Sequence, residues 1–248
     1  MIRMKAEQLT EKLVLWIREK VTTGRCRGVI LGMSGGIDSS VGAVLCKRAF
    51  PQNVLGVIMP CYSIPEDREH ALVVASQFSI PTKEVVLDSV FDALSKVLPN
   101  DTVEADANRV ARANLKVRLR MLTLYYFANQ LDYMVVGSSN RSELSTGYFT
   151  KYGDGGVDIL PLGNLVKGEV RDLARYLDIP QEIIDKPPSA GLWQGQTDEA
   201  DLGFSYEKLD SYLLTGRATD DIRIRIEAMM ASCKHKRQPP PVPEFQVW

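Results

Sequence analysis

Hydrophobic residues follow two different spacings along the first half of the chain. Leu9, Leu13, Trp16 and Ile17 recur at intervals of one to four residues on one helical face, which predicts an amphipathic N-terminal helix. Short apolar runs predict strands at residues 28–33, 54–59, 82–87 and 133–137. Helical patterns separate these runs, at about residues 39–48, 63–78 and 105–130. Because strands alternate with helices, we expect an α/β fold with a doubly wound parallel sheet flanked by helices.

Two of the predicted helices begin at recognisable start signals. Ser63-Ile-Pro-Glu66 has the spacing of a capping box, with proline early in the first turn. Near the C-terminus, Ile222, Ile224 and Ile226 alternate as in a strand, but residues 222–233 fit a helix equally well. Since Thr219-Asp-Asp precedes this run and could cap a helix, we predict a helix there.

The second half of the chain contains long irregular stretches. Residues 145–163 carry five glycines with little periodicity, which predicts a long, mobile active-site loop. Helices are expected at about 170–177 and 206–214, with a further loop at 185–203. Because no internal repeat or change of composition interrupts the chain, residues 1–248 are predicted to form a single domain.

Composition narrows the class of protein. The chain of 248 residues is 45% hydrophobic and 25% charged, as in ordinary globular proteins, and this excludes general disorder. Its formal net charge of −1 argues against a dedicated nucleic-acid binder. No apolar run reaches the roughly 18 residues of a membrane-spanning helix, and charges interrupt any N-terminal signal sequence. We therefore expect a cytoplasmic protein without membrane or nucleic-acid partners.

The cysteines and histidines restrict the possible chemistry. Four cysteines lie far apart with no C-x-x-C pair, which indicates reduced thiols rather than disulfides or a thiolate zinc site. The only histidines are His70 and His235, too few for a histidine-based zinc site. Any metal is therefore expected to be a hard cation such as Mg²⁺, held by carboxylates and phosphates.

One motif carries most of the candidate chemistry. The first predicted strand ends directly in Ser34-Gly35-Gly36-Ile37-Asp38-Ser39-Ser40, and a helix follows. The N–H groups of a helix N-terminus bind anions, and the two glycines let the backbone approach a phosphate closely. The motif is not a Walker A loop, because no Lys-Ser/Thr pair follows the glycines. Asp38 would repel phosphate without an intervening cation, which again indicates Mg²⁺. The alternative is a plain connector in which serines cap the helix.

This motif resembles the pyrophosphate loop of the N-type ATP pyrophosphatases, whose fold is Rossmann-like, of the adenine-nucleotide α-hydrolase type. Three further segments resemble ammonia-dependent NAD synthetases within that superfamily: residues 146–156, the stretch Asp158-Ile-Leu-Pro-Leu162, and the tail Lys234-His-Lys-Arg-Gln238. The resemblance covers essentially the whole chain in order. It implies ATP-dependent amidation of deamido-NAD by ammonia, with release of AMP and pyrophosphate, as the last step of NAD biosynthesis.

The resemblance also implies roles for individual residues. The expected ATP-binding residues are Gly32, Met33, Ser34, Gly35, Gly36, Ile37, Asp38, Ser39, Ser138, Lys167 and Ser189. Serine stands at 138 and 189 where threonine is common in the family, and both residues keep the hydroxyl. The expected deamido-NAD contacts are Arg118, Lys151, Asp158, His235 and Lys236. Asp38 and Glu143 would bind Mg²⁺, and Asp38 and Lys167 would be catalytic.

Taken singly, these side chains are ordinary surface residues, and only their joint pattern favours a site. The resemblance further implies a homodimer. The sequence shows no glutamine-hydrolysing context, so ammonia is expected either free or from a separate partner. Two alternatives stay open: another ATP pyrophosphatase, such as a tRNA-modifying enzyme, and a nucleotide-binding module without catalysis.

Overall fold

Four parallel strands form one sheet in the computed structural model, which describes residues 4–98 and 105–244 except 192 and 194. The strands are β1 (Gly28–Gly32), β2 (Val54–Ile58), β3 (Thr82–Glu84) and β4 (Tyr133–Val136). Their order is β3-β2-β1-β4, and all three described pairings are parallel. The chain therefore builds outward from β1 in both directions, and the switch point lies between the carboxyl ends of β1 and β4.

Helices connect and cover the strands. Their bounds are α1 (Ala6–Thr23), α2 (Ile37–Ala49), α3 (Pro65–Gln77), α4 (Asp88–Val97), α5 (Ala105–Leu131), α6 (Arg141–Thr146), α7 (Lys167–Tyr176), α8 (Gln181–Asp185), α9 (Asp198–Leu202), α10 (Tyr206–Thr215) and α11 (Asp220–Ser232), followed by the 3₁₀ turn Lys234–Lys236.

Both faces of the sheet are covered, because successive side chains of a strand point to opposite faces. Val29 and Leu31 of β1 pack into a core with α1, α2 and α7. Ile30, between them, packs into a second core with α4 and α5. A smaller apolar cluster lies among α9, α10 and α11. The predicted doubly wound α/β fold is confirmed.

Most of the predicted elements are present within a few residues of their predicted bounds. The choice of a helix near the C-terminus is confirmed by α11, and Thr219 occupies its N-cap position without a side-chain capping bond. β3 is shorter than predicted, since its pairing with β2 ends at Glu84. The predicted domain limits at residues 1 and 248 lie outside the described residues.

The structure differs from the expectations in several details. Ser63 does not cap α3: the N-cap is Ile64, and the Ser63 hydroxyl instead accepts hydrogen bonds from the Cys61 N–H and the Arg120 guanidinium. The helices α4, α6 and α8 were not predicted. Burial of Phe91 against α5 holds α4, and α6 includes the first two residues of the predicted loop at 145–163. The predicted loop at 185–203 contains the short helix α9, which is too brief for its periodicity to be recognised.

Among the described residues, no helix combines the length and the apolar composition needed to cross a lipid bilayer.

Ile30 offers a test of the two-sided packing, since it is fully buried on the central strand. We expect Ile30→Ala to lower the free energy of unfolding by about 2–5 kcal/mol, because it leaves a cavity under α5. The measurement is urea unfolding followed by circular dichroism. Leu15→Ala is the control, because Leu15 is 61% exposed and its truncation should change stability by less than about 0.5 kcal/mol. Equal losses in the two variants would contradict this packing.

Candidate active site

The turn between β1 and α2 has the geometry of an anion-binding loop. Gly35 has a φ of +77°, and a Cβ there would lie 2.1 Å from the carbonyl oxygen of Asp67, so only glycine fits. Gly36 is the N-cap of α2, and its carbonyl accepts hydrogen bonds from the hydroxyls of Ser39 (2.9 Å) and Ser40 (2.8 Å). The N–H groups of the first turn have no intrahelical partner and are therefore suited to bind an anion.

The apolar residues of this loop anchor it. Met33 and Ile37 are buried in the core beside α1 and α2. The Ser34 hydroxyl lies 3.0 Å from the Ser39 hydroxyl and accepts a hydrogen bond from the Gly36 N–H at 3.3 Å. Packing on one side and hydroxyl contacts on the other hold the backbone of the loop in place.

A buried lysine joins two carboxylates at the switch point of the sheet. Nζ of Lys167 lies 2.5 Å from Oδ2 of Asp38 and 3.3 Å from Oε1 of Glu143. Lys167 is 2% exposed, although it is the first residue of α7. Three helices, α2, α6 and α7, thus contribute one charged group each to a single cluster.

Asn140 fixes the geometry of both carboxylates. Its amide nitrogen donates to Oδ1 of Asp38 at 2.8 Å, and its amide oxygen accepts from the N–H of Glu143 at 3.1 Å. Oε2 of Glu143 accepts from the N–H of Asn140 in return, which completes a capping box at the start of α6. One oxygen of Glu143 therefore holds the helix, while the other faces Lys167.

A second layer of side chains positions Lys167. Asp210 of α10 accepts hydrogen bonds from the Ser142 hydroxyl (2.6 Å) and the Gly168 N–H (2.7 Å). The ring of Tyr206 lies 5.1 Å from Nζ of Lys167, and its hydroxyl donates to Asp198. These contacts fasten the beginning of α7 to α6 and α10.

Sequence reasoning missed Asn140, Asp198, Tyr206 and Asp210. The N-x-x-E spacing of Asn140 and Glu143 is a readable capping signal and could have identified the first. No local pattern marks the other three, because they reach the cluster only through tertiary packing.

Burial and neighbouring charge shift the pKa values of this cluster. Burial raises the pKa of Glu143 to about 8, and the charge of Asp38 acts in the same direction. Burial by itself would lower the pKa of the Lys167 ammonium, but the carboxylates of Asp38 and Glu143 outweigh it and raise that pKa. Lys167 is therefore a permanent cation between the two acids.

The remaining predicted ATP-binding residues lie at the carboxyl ends of β1 and β4 and in the segment after α8. Gly32 ends β1, and the half-buried Ser138 follows β4 across the switch point. Ser189 is exposed, and its hydroxyl accepts a hydrogen bond from the Gly191 N–H. The segment that carries Ser189 is tied down by Lys186, whose ammonium lies 2.8 Å from a carboxylate oxygen of Asp67.

Four of the five predicted deamido-NAD residues form a connected basic cluster. Arg118 donates to the carbonyl oxygen of Lys151, and the Lys151 ammonium donates to the carbonyl oxygen of His235 at 2.7 Å. Lys236 donates to two carbonyl oxygens of the glycine-rich segment, those of Gly147 and Phe149. The fifth, Asp158, is not part of this cluster.

Asp158 instead binds the outer edge of β4. Its two carboxylate oxygens accept hydrogen bonds from the Tyr125 hydroxyl (2.9 Å) and the Val135 N–H (2.8 Å). No described hydrogen bond links Asp158 to the basic cluster or to the Asp38–Lys167 cluster.

The whole chain resembles one family of enzymes. The family model for NAD synthase matches residues 9–240. The NH₃-dependent NAD⁺ synthetase of Carboxydothermus hydrogenoformans is 50% identical over 98% of this chain and 99% of that protein. Two solved structures are also similar, each covering 98% of this chain and all of its own. NMN synthetase from Francisella tularensis has a TM-score of 0.92 and 35% identity, and NH₃-dependent NAD synthetase from Campylobacter jejuni has 0.80 and 32%.

The family match and the curated relatives identify an ATP-dependent ligase that forms a carbon–nitrogen bond. The chain belongs to the NAD synthase family. The family match and the curated relatives confirm the predicted activity, which is amidation of deamido-NAD by ammonia at the expense of ATP. The comparisons favour it over a tRNA-modifying pyrophosphatase and over a non-catalytic module.

The raised pKa of Glu143 predicts a pH-dependent stability. The folded state favours the protonated form, so this group stabilises the fold below its unfolded pKa of 4.5, and the contribution declines as pH rises toward 8. We expect Glu143→Gln to reduce the slope with which the free energy of unfolding falls as pH rises, by up to about 1.4 kcal/mol per pH unit. Urea unfolding at several pH values between about 5 and 8 measures it.

Glu207→Gln is the matched control, because Glu207 is exposed on α10 and its variant should keep the wild-type pH dependence. If the free energy of unfolding of Glu143→Gln had the same pH dependence as that of the wild type, the raised pKa of Glu143 would be contradicted.

Proposed function

We propose that the turn after β1, together with the cluster of Asp38, Glu143 and Lys167, binds ATP and promotes adenylation of deamido-NAD. The observation that supports this is the pairing of a helix N-terminus with a buried lysine at the switch point of a parallel sheet. The helix N–H groups and the Lys167 ammonium together supply positive charge where the pyrophosphate would leave.

The first step, adenylation, needs positioning and positive charge rather than a base. A carboxylate does not react with ammonia, because its oxide is a poor leaving group. The nicotinate carboxylate is already ionised, so it attacks the α-phosphorus of ATP without deprotonation, and pyrophosphate departs. Neutral ammonia then attacks the carbonyl carbon of the acyl-adenylate, its nitrogen gives up one proton to a base or to water, and AMP departs as the carbon–oxygen bond to it breaks. Both steps depend on alignment and on stabilisation of the leaving phosphate charge.

The residues present fit a magnesium ion. Oxygens of Asp38 and Glu143 both lie within reach of the Lys167 ammonium, so they are close enough to share one cation. Within the described parts of the chain, no three His, Cys, Asp or Glu side chains gather into a metal site. The oxygens that face Lys167 each keep a second lone pair, and two carboxylates match Mg²⁺, which takes its other ligands from water and substrate phosphates. When bound, Mg²⁺ would neutralise polyphosphate charge.

The other predicted ATP contacts are of two kinds, side-chain hydroxyls and backbone groups. Ser34 and Ser138 would add hydroxyl groups. The Ser39 hydroxyl already donates to the Gly36 carbonyl, so Ser39 would contribute its backbone, as would Met33 and Ile37, whose side chains are buried. Ser189 would reach the nucleotide from the segment that Lys186 fastens to Asp67.

The basic cluster of Arg118, Lys151, His235 and Lys236 would bind the phosphates of deamido-NAD. Its members already hold one another through backbone carbonyls, so an anion would meet a pre-arranged surface. Asp158 would take part only if the substrate extends to the outer edge of β4, where its carboxylate lies.

The glycine-rich loop at 145–163 would close over the bound substrates and protect the acyl-adenylate from water. Lys236 bonds two carbonyls of this loop, and a Cβ at Gly147 would lie 2.2 Å from the Cβ of Cys233. A closing motion would therefore carry the 3₁₀ turn Lys234–Lys236 with it. We further propose a single-domain, cytoplasmic homodimer, as the family resemblance implies.

Asp38 and Lys167 can be tested separately. We expect Asp38→Asn to lower kcat by at least about 100-fold, because it removes a metal-binding charge but keeps the shape. Lys167→Ala should also lower kcat, with a smaller change in the KM for ATP, if the ammonium acts on charge that develops during the reaction. Steady-state kinetics measures both, and thermal unfolding identifies any loss of fold. Wild-type turnover in folded Asp38→Asn would refute its metal role.

The activity itself is tested by product analysis. With ATP, Mg²⁺, ammonium and deamido-NAD, AMP and NAD should form in equal amounts. The similarity to an NMN synthetase makes nicotinate mononucleotide the informative second acid. We expect a higher kcat/KM for the dinucleotide, and a preference for the mononucleotide would reassign the substrate. Formation of ADP and phosphate would indicate another class of reaction.

A further inference from the structure

One buried carboxylate oxygen near Lys167 has no hydrogen-bond partner. Asp198, the first residue of α9, is 4% exposed. Its Oδ2 accepts a hydrogen bond from the Tyr206 hydroxyl at 2.9 Å, but no group in the described part of the chain bonds its Oδ1. The hydroxyl of Ser95 is the only other buried side-chain atom of those residues without a partner, and it is uncharged. Because a buried carboxylate is normally paired, Oδ1 is available to a donor from outside the chain.

The tyrosine hydroxyls next to Asp198 do not supply a donor for Oδ1. A tyrosine hydroxyl has a single proton to donate. That of Tyr206 goes to Oδ2 of Asp198. The Tyr148 hydroxyl also lies near Asp198, but its proton goes to Oδ2 of Asp201 at 2.7 Å. The protons of both hydroxyls are therefore already in use.

Asp198 is connected to two parts of the proposed ATP site. On one side it bonds Tyr206, whose ring lies 5.1 Å from Nζ of Lys167. On the other side its N–H donates to the carbonyl oxygen of Pro188 at 2.9 Å, and Pro188 directly precedes Ser189. Asp198 is thus fixed between the ammonium group that would face the pyrophosphate and the serine that would contact the nucleotide.

The surroundings of Asp198 make its carboxylate basic. Burial raises the pKa of the Asp198 carboxyl above its usual range, although the Lys167 ammonium and the Tyr206 hydroxyl act in the opposite direction. The charge of Asp38 raises this pKa as well. A buried carboxylate of this kind binds a proton more readily than one in water, and a bound cation would balance its charge.

The second step of the amidation needs such a group. Near neutral pH the nitrogen substrate is almost entirely ammonium, which has no lone pair and cannot attack a carbonyl carbon. Lys167 is already protonated, and Asp38 and Glu143 would be occupied with Mg²⁺. The charged residues assigned so far around the pyrophosphate turn therefore leave the removal of a proton from ammonium to another side chain.

We propose that Oδ1 of Asp198 binds the nitrogen substrate as ammonium and accepts one proton from it, which produces neutral ammonia beside the acyl-adenylate. One N–H bond breaks, its electron pair stays on nitrogen, and an O–H bond forms at Oδ1. Ammonia then attacks the carbonyl carbon, a second proton passes from nitrogen to water, and AMP departs as the carbon–oxygen bond to it breaks. Asp198 returns its proton to water when the products leave. This inference rests on the proposed function and assigns the ammonium subsite of the same site.

The two half-reactions are measured separately in the test. Exchange of labelled pyrophosphate into ATP, with deamido-NAD and Mg²⁺ but without ammonium, reports on adenylation alone. We expect Asp198→Asn to keep the wild-type exchange rate, since asparagine has the same shape and can still accept the Tyr206 hydrogen bond. In the complete reaction, kcat/KM for ammonium should fall about 100-fold or more, as for the loss of a general base. Retained exchange also shows that the variant is folded.

Hydroxylamine supplies a rescue experiment. It is uncharged near neutral pH, so no proton has to be removed before it attacks. We expect Asp198→Asn to form the hydroxamate of deamido-NAD with a much smaller loss than it shows with ammonium. Asp201→Asn is the matched control, because Asp201 is an exposed carboxylate on the same helix, and it should leave both half-reactions unchanged.

Three results would overturn the proposal. The first is wild-type kcat/KM for ammonium in Asp198→Asn. The second is an equal loss of pyrophosphate exchange and amidation, which would make Asp198 a structural residue or, if additional Mg²⁺ restored both, a metal ligand. The third is an equal loss with hydroxylamine and with ammonium, since proton removal would then not be the task of Asp198.

The wild-type protein separates this inference from the proposed function. Absence of pyrophosphate exchange in the wild type would contradict the proposed adenylation, and the role of Asp198 with it. Wild-type exchange together with any of the three results above would contradict only the role of Asp198.

Discussion

The charge of Lys167, buried between Asp38 and Glu143, is the interaction on which the site depends. A buried ammonium is tolerated only when it is paired and its surroundings are polar, so the fold has to deliver both carboxylates to one point. It does so through the sheet order, because the switch point brings the helix after β1 next to the helix after β4. Removal of Lys167 would leave the two acids facing each other without a cation.

In the proposed function, the same arrangement would let the chain use ATP without a histidine base. The reaction requires fixed positive charge and alignment, and both come from parts of the fold that cannot easily move. The N-terminus of α2 is fixed by Gly35, which is pressed against the carbonyl of Asp67, and α7 is fixed by Asp210. Positive charge that is oriented before the substrate binds costs little reorganisation during the reaction.

The polar and apolar parts of the second half of the chain have different structural roles. The glycine-rich segment and the C-terminal turn are joined through Lys236, so two stretches that are 87 residues or more apart behave as one unit. The small core of α9, α10 and α11 supports Tyr206, whose ring faces Lys167. On the opposite face of the sheet, α5 carries a row of cations whose aromatic partners come from α4 and from the segments around Tyr62 and Trp193.

The sequence alone determined the parallel α/β class and predicted an anion-binding turn after β1 with Asp38 in it. Those features are local: apolar runs, glycines that must adopt special backbone angles, and a motif of adjacent residues. The sequence indicated Glu143 and Lys167 only through its resemblance to a family. It did not determine the roles of Asn140, Asp198, Tyr206 and Asp210, or the attachment of Asp158 to β4. Hydrogen bonds and charge pairing between distant segments decide these, and only tertiary packing brings such segments together. The capping boxes illustrate this. Ser63 has the spacing of a capping box, but its hydroxyl accepts hydrogen bonds from Arg120 and the Cys61 N–H instead of capping α3. Asn140 does cap its helix, α6.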